Sequence, residues 1–533
     1  MPLPNLPEQF NAAAALVDSH IAAGRSDKPA ILCGDRTITY QQLYENVNRV
    51  GNALLKLGVR IEQRVAALVP DSPECVYAFL GAMKIGAVSV PLNTMLVAKD
   101  YKYLLNDCRA HVLVVDSSLL HHVLEVREHL DHLEHIVVVG DDHKGPLILS
   151  ELMAAASPKL EPANTSRDDS AFWLYSSGTG GAPKAAIHLH HDMIFTADLY
   201  AQDTIGLLES DVSFSSAKTF FAYGLGNGLY FPLRLGGTTA LLPDRPLPEA
   251  IFKAIDRHQP TVFYSVPTSY ANMLHYAEKT GRKELGRVRM CVSAGEQLPA
   301  ALYEKWRARF GVEIVDGIGS TEILHIYISN RPGQVRPGST GQVVPGFEAR
   351  IVDDHGQDVP VGETGTLLVK GDSIATGYWN HHKLTQETFL GEWINTRDKF
   401  YMDAAGYYWY AGRTDDMFKV SGMMVWPTDV EGVLQRHPAV LESGVIGAPD
   451  EDGLTKVRAY VVLKDGHPPS QELVRELQLF VKTNSMPHKY PRSVIFVKDL
   501  PRTATGKIQR YKLREIAARG DQHGSATGLE LQL

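Results

Sequence analysis

The stretch Tyr175-Ser176-Ser177-Gly178-Thr179-Gly180-Gly181-Ala182-Pro183-Lys184 gathers hydroxyls, three glycines and one lysine between two apolar runs, Ala171-Phe172-Trp173-Leu174 and Ala185-Ala186-Ile187. Glycines let a loop bring its backbone N–H groups close to an anion, and a lysine adds positive charge. Phosphate is the guest this chemistry predicts. In the kinase-type phosphate loop the lysine follows a glycine and precedes Ser or Thr. Here Pro183 precedes Lys184 and Ala185 follows it, which points away from ordinary phosphoryl transfer. Taken alone, the stretch also fits an ordinary turn between two strands of a hairpin.

Three further motifs follow in order: Asp316-Gly317-Ile318-Gly319-Ser320-Thr321-Glu322, then Gly412-Arg413-Thr414-Asp415-Asp416, then Pro501-Arg502-Thr503-Ala504-Thr505-Gly506-Lys507. In isolation Glu322 could cap a helix, Asp398 could start one, and Arg413 could make a surface ion pair. Taken together, the four motifs resemble those of the adenylate-forming superfamily of acyl-CoA synthetases, nonribosomal adenylation domains and luciferases, and the resemblance covers nearly the whole chain.

The chemistry it implies has a simple logic. A carboxylate is a poor electrophile, because its charge repels nucleophiles and its leaving group would be oxide. Attack of the carboxylate on the α-phosphorus of ATP gives an acyl-adenylate and pyrophosphate, and AMP then leaves readily when a thiol attacks. Such a site needs phosphate-cradling amides, a metal, a nucleoside grip and positive charge at the reacting groups. By resemblance, Ser176, Ser177, Gly178, Thr179, Gly180, Gly181 and Lys184 would hold the β- and γ-phosphates. Thr321 would bond a phosphate, and Glu322 would hold Mg²⁺ through oxygen, as a hard cation prefers. Gly295, Glu296, Asp316 and Gly317 would line the adenine, while Asp398 and Arg413 would bind the ribose hydroxyls. Asn395-Thr396-Arg397-Asp398 departs from the common Thr-Gly-Asp, with Arg397 where relatives carry glycine. Lys507 would place its ammonium between carboxylate and α-phosphate, Asp415 would be a hinge, and Lys419 and Gly422 would meet coenzyme A.

The acid is predicted from two segments. Residues 218–226 align with the family position where an aromatic lines the acyl pocket. They carry no aspartate of the kind that amino-acid-activating relatives use for a substrate ammonium. The run Ile323-Leu324-His325-Ile326 after Glu322 resembles the benzoate-CoA ligase subgroup. Ala222, Tyr223, Gly224, Gly319, His325 and Ile326 would then form a flat, mostly apolar pocket suited to an aryl ring. The expected activity is AMP-forming ligation of benzoate to coenzyme A, with ATP and Mg²⁺. Hydroxybenzoate, cyclohexanecarboxylate and short-chain acids are the alternatives within that chemistry. A luciferase-like oxygenase and a non-catalytic nucleotide binder are the alternatives outside it. Retention of Lys184, Glu322, Arg413 and Lys507 together argues against the last. The resemblance further implies acetylation of Lys507 by a lysine acetyltransferase, reversed by a deacetylase.

The elements that must position these residues are legible as alternation. Residues 65–69, 87–90, 111–115 and 136–139 are β-branched apolar runs, and residues 74–84 read as a helix. This pattern predicts an α/β fold: a large N-terminal domain of α/β layers with mainly parallel sheets, plus a β-rich subdomain near residues 338–369. A small mobile C-terminal α+β domain follows. The expected boundaries are 1–413, a hinge at 414–416, and 417–533, with a tail from Arg519 onward lacking regular structure.

With 533 residues the chain is too long for one core, so at least two domains are expected. Its net charge of −8 disfavours nucleic acid as main partner. No apolar run is long enough to span a bilayer, and Met1 to Pro7 has no signal-peptide character, so neither membrane nor secretion is expected. Four scattered cysteines suit a reducing cytoplasm. Homodimerisation is compatible with this composition. His121, His122, His129, His132 and His135 crowd what reads as one charged helical segment, where a solvated face explains them better than a metal site. His188, His190 and His191 read as packing residues.

Overall fold

The apolar run His111 to Val115 becomes the middle of strand Ala110–Asp116, with Val112, Leu113, Val114 and Val115 all fully buried. Burial on both faces is what a continuous apolar run specifies in a parallel sheet covered by helices. The computed structural model describes residues 5–140, 147–176, 182–413, 416–420, 423–450, 454–502 and 508–521. Two compact units emerge. The first comprises Met1–Ser176, Pro183–Glu348 and Val369–Ile394; the second includes Ala349–Leu368 and the chain from Asn395 onward.

Among the described residues, the first unit holds a seven-stranded sheet in the order Leu147–Ile148, His135–Val139, Ala110–Asp116, Arg64–Leu68, Val88–Pro91, Ser170–Ser176, Lys184–Leu189. It is parallel until its last pair, an antiparallel hairpin in which Ser176 stands opposite Lys184. A second sheet carries Val212–Ser215, Val262–Ser265, Met290–Ser293 and Ile314–Gly319 as parallel neighbours. Helices return between strands with the expected end signals. Ser72 caps Pro73–Lys84 through Cys75 N, and a Thr39–Gln42 capping box starts Tyr40–Lys56.

In the second unit, strands Val440–Pro449, Thr455–Leu463 and Ser493–Phe496 form a sheet. Helices Pro427–Leu434 and Gln471–Asn484 bury Val430, Leu434, Leu473 and Leu477 in its core.

Two expectations need correction. The histidine-rich segment is not one helix: α-helix covers only Leu120–Leu124, a single 3-10 turn covers Arg127–His129, and His135 already opens a strand. Asn106 donates to His129 O at 2.7 Å and accepts from Asp131 N at 3.1 Å, taking backbone groups that a continued helix would pair. Helix Arg510–Asp521 also extends past Arg519, where the tail was expected to begin; residues 522–533 of that tail lie outside the described residues.

Candidate active site

Opposed positions on an antiparallel pair put their side chains on the same face, so Ser176 and Lys184 point the same way from the hairpin ends that flank the glycine loop. Both reach Glu322 on the single turn Thr321–Ile323. Ser176 Oγ donates to Glu322 Oε1 at 3.2 Å, and Lys184 Nζ lies 3.7 Å from the same oxygen. The Tyr378 hydroxyl stands between them, accepting from Lys184 Nζ at 2.7 Å and donating to Glu322 Oε1 at 2.7 Å. Burial pushes the Glu322 carboxyl up, but the Lys184 charge and the bonds from Tyr378, backbone and Ser176 outweigh it and hold the group below its usual range. A carboxylate kept ionised beside a phosphate-type lysine is a donor that fits Mg²⁺.

The turn that carries Glu322 is tied at every carbonyl. His188 Nε2 lies 2.8 Å from Thr321 O, Ala375 N donates to Glu322 O at 2.8 Å, and Ser373 Oγ donates to Ile323 O at 2.9 Å. His188 and Asp192 are 2.7 Å apart and both fully buried, which agrees with a packing role for His188. His190 Nδ1 likewise accepts from Ala12 N at 3.1 Å. The next residue, Leu324, has φ 72° and ψ −47°, a rare γ-turn-like conformation for a non-glycine residue. It reverses the chain so that Glu322 meets the lysine while His325 enters an aromatic cluster.

That cluster assembles the predicted acyl-binding residues. His325 lies 5.5 Å from Tyr223, 5.4 Å from Tyr200 and 4.4 Å from Phe231 between ring centroids, and His325 Nε2 donates to Tyr223 O at 3.3 Å. The Tyr223 hydroxyl faces the Ser265 and Val292 carbonyls at 3.2 and 3.0 Å. Gly319 pairs with Ile326 across adjacent strands, and a Cβ on Gly319 would sit 2.6 Å from His325 O. Gly224 is likewise obligatory, its Cβ position being 2.1 Å from Lys218 O. Ala222 opens the short helix Ala222–Leu225. Burial lowers the His325 pKa to about 3, so the ring is neutral, and its Nδ1 has no hydrogen-bond partner. The loop that presents Ala222 and Tyr223 is pinned from behind by Asp71, which accepts from Thr219 N and Oγ1 and lies 3.6 Å from Lys218 Nζ. Nothing in the spacing around Asp71 foretold that link.

The predicted adenine-lining residues lie at the carboxyl ends of two adjacent parallel strands, where open α/β sheets bind ligands. Ser293 pairs with Asp316, which brings the following Gly295-Glu296 alongside Gly317. Glu296 accepts from Thr268 N and Oγ1 at 3.2 and 2.8 Å. Asp316 is buried, which raises its carboxyl well above the usual range, and Oδ1 has no hydrogen-bond partner.

In the second unit Asp398 and Arg413 are direct partners across strands Trp393–Met402 and Tyr408–Arg413. Arg397, the departure from glycine, has φ 59°, the left-handed backbone that a glycine adopts freely. Thr396 Oγ1 accepts from Asp398 N and donates to Leu367 O. Lys419 lies in the hairpin of Phe418–Val420 with Met423–Val425. Ser177, Gly178, Thr179, Gly180, Gly181, Asp415, Gly422 and Lys507 lie outside the described residues.

Residues 19–379 match the AMP-binding enzyme family, and residues 429–507 match the AMP-binding enzyme C-terminal domain. The chain belongs to the AMP-binding enzymes, the adenylate-forming class that its motifs suggested. It is 47% identical over 515 residues to a benzoate–CoA ligase of Thauera aromatica, covering 96% of this chain and 97% of that protein. It is 45% identical over 514 residues to a 4-hydroxybenzoate–CoA/benzoate–CoA ligase of Rhodopseudomonas palustris, covering 96% and 95%. A crystal structure of an anthranilate CoA ligase in complex with anthranoyl-AMP superposes with a TM-score of 0.94 at 43% identity, covering 98% of this chain and all of that one.

Proposed function

We propose that the protein is an AMP-forming aryl-CoA ligase that converts benzoate, ATP and coenzyme A into benzoyl-CoA, AMP and diphosphate through a benzoyl-adenylate. The observation that carries this reading is the neutral, aromatic-walled cluster of Tyr223 and His325 one turn from the charged Lys184–Glu322 pair. A flat apolar acid fits the first and a polyphosphate the second.

In this mechanism Lys184 and the glycine loop bind the β- and γ-phosphates, and Thr321 orients them. Glu322 holds Mg²⁺, which neutralises phosphate charge when bound. Glu296, Asp316 and neighbouring glycines line adenine, while Asp398 and Arg413 take the ribose. Lys507 stabilises charge developing between the carboxylate and the α-phosphorus. Rotation about Asp415 then replaces Lys507 with Lys419 and Gly422, which admit the thiol, and its attack on the acyl carbon expels AMP. Acetylation of Lys507, reversed by a deacetylase, switches off the first step by removing its charge. This reading includes a cytoplasmic location, which the scattered cysteines suit, and is compatible with a homodimer. Among the described residues no helix is long and apolar enough to cross a membrane.

One observation favours a hydroxy- or aminobenzoate as second substrate. The buried His325 Nδ1 is an acceptor without a donor, a condition that costs about 1–3 kcal/mol. A ring hydroxyl or amino group bound beside His325 would supply that donor. A panel of benzoate, its hydroxy and amino derivatives, cyclohexanecarboxylate and acetate, assayed by AMP release with ATP and coenzyme A, tests both readings. Preference for acetate would sink them together.

A further inference from the structure

A single segment of the first unit is stitched to both halves of the phosphate site. Thr376 N donates to Ile187 O at 3.0 Å, Ile187 N to Gly377 O at 3.1 Å, and Trp379 N to Ala185 O at 2.9 Å, binding residues 376–379 along the strand that begins at Lys184. A few residues earlier, Ser373 and Ala375 hold the Ile323 and Glu322 carbonyls. Tyr378, 6% exposed, projects from this strap. Its ring packs edge-on against Phe389 at 5.3 Å, and the Lys184 ammonium lies 3.9 Å from the ring centroid.

We propose that Tyr378 is a positioning residue for MgATP: its hydroxyl spaces Lys184 from Glu322 and keeps each oriented for a different part of the ligand. This rests on the ligase reading of the site. Charge-assisted N–H···O contacts close to about 2.7–2.9 Å when nothing intervenes, whereas Lys184 and Glu322 are held 3.7 Å apart with the phenol bonded to both. Without the hydroxyl the two charges close into a direct pair. MgATP must then break that pair before the ammonium can meet phosphate and the carboxylate can meet the metal. In the ligase reading the carboxylic acid meets the Tyr223–His325 cluster and coenzyme A meets Lys419 and Gly422, so their binding is spared.

The test is Tyr378→Phe, which keeps the ring, beside Phe389→Leu, which disturbs the same packing and leaves the hydroxyl. Calorimetric titration with the magnesium complex of α,β-methylene-ATP reads the site without turnover, and steady-state kinetics read KM for MgATP and benzoate separately. Tyr378→Phe is expected to weaken the nucleotide analogue and raise KM for MgATP about tenfold, as loss of one hydrogen bond to charged groups does. KM for benzoate and the melting temperature should stay close to wild type. Phe389→Leu should lower the melting temperature and leave analogue affinity unchanged. Unchanged analogue affinity in Tyr378→Phe, or equal weakening in both variants, overturns the proposal. A wild-type enzyme that binds the analogue and ignores every aryl acid overturns instead the substrate reading.

Discussion

The Lys184 ammonium and the nearer carboxylate oxygen of Glu322 lie 3.7 Å apart, on side chains only 16% and 15% exposed. Opposite charges so placed fit the two functions that a polyphosphate and its metal require. Glu322→Gln keeps the shape and the bond from Tyr378 but removes the metal-binding charge. It is expected to lower kcat/KM about a hundredfold, on the scale of other electrostatic groups in active sites, and to raise the Mg²⁺ concentration needed for half-maximal rate. An unchanged Mg²⁺ dependence would remove Glu322 from the metal site.

Leu324→Gly sets relief of backbone strain against loss of packing. Leu324, at φ 72°, is fully buried. Losing a buried leucine costs about 2–5 kcal/mol, more than the roughly 1–3 kcal/mol of strain relieved, so Leu324→Gly should lower the midpoint. Denaturant titration decides the sign, and a raised midpoint would show that strain outweighs packing.

Acid should weaken the fold before ordinary carboxylates titrate. Burial lowers the His190 pKa from 6.5 to about 4, with Nδ1 accepting from Ala12 N. The unfolded chain therefore binds a proton that the native state refuses. The stability concerned is intact above pH 6.5 and is lost as pH falls toward 4, by roughly 2 kcal/mol at pH 5. His325, lowered to about 3, acts in the same direction. His190→Gln should be less stable at pH 7 but lose less between pH 7 and 5 than wild type. Parallel pH profiles would contradict this account.

If Lys507 serves adenylation alone, Lys507→Ala should lose acyl-adenylate formation by on the order of a hundredfold or more. Supplied with preformed benzoyl-AMP and coenzyme A, the variant should still make benzoyl-CoA. Equal loss of both half-reactions would show that the lysine is misassigned.

What could be read from the sequence followed the range of the interactions involved. Strand Ala110–Asp116 and helix Pro73–Lys84 were legible because local apolar runs and a Ser72 cap specify them. The Ser176, Lys184 and Glu322 convergence was legible through motifs. Tyr378 was not, since its bond to Lys184 spans 194 positions and a lone tyrosine has no spacing to announce it. Leu324 and Asp71 were hidden for the same reason: backbone strain and a distant carboxylate leave no local pattern. The histidine run misled because its buried Leu120, Val123, Val126, Leu130 and Leu133 keep helical spacing, while the distant Asn106 bonds His129 O and Asp131 N, backbone groups that a continued helix would pair.

The most direct test of the central claim is AMP release by the purified enzyme with MgATP, coenzyme A and each acid of the panel. The account predicts the highest kcat/KM for benzoate or a hydroxy- or aminobenzoate, strict dependence on both ATP and coenzyme A, and benzoyl-CoA as the product when benzoate is the acid. Turnover of acetate in preference to every aryl acid, or AMP release with no thioester formed, would contradict it.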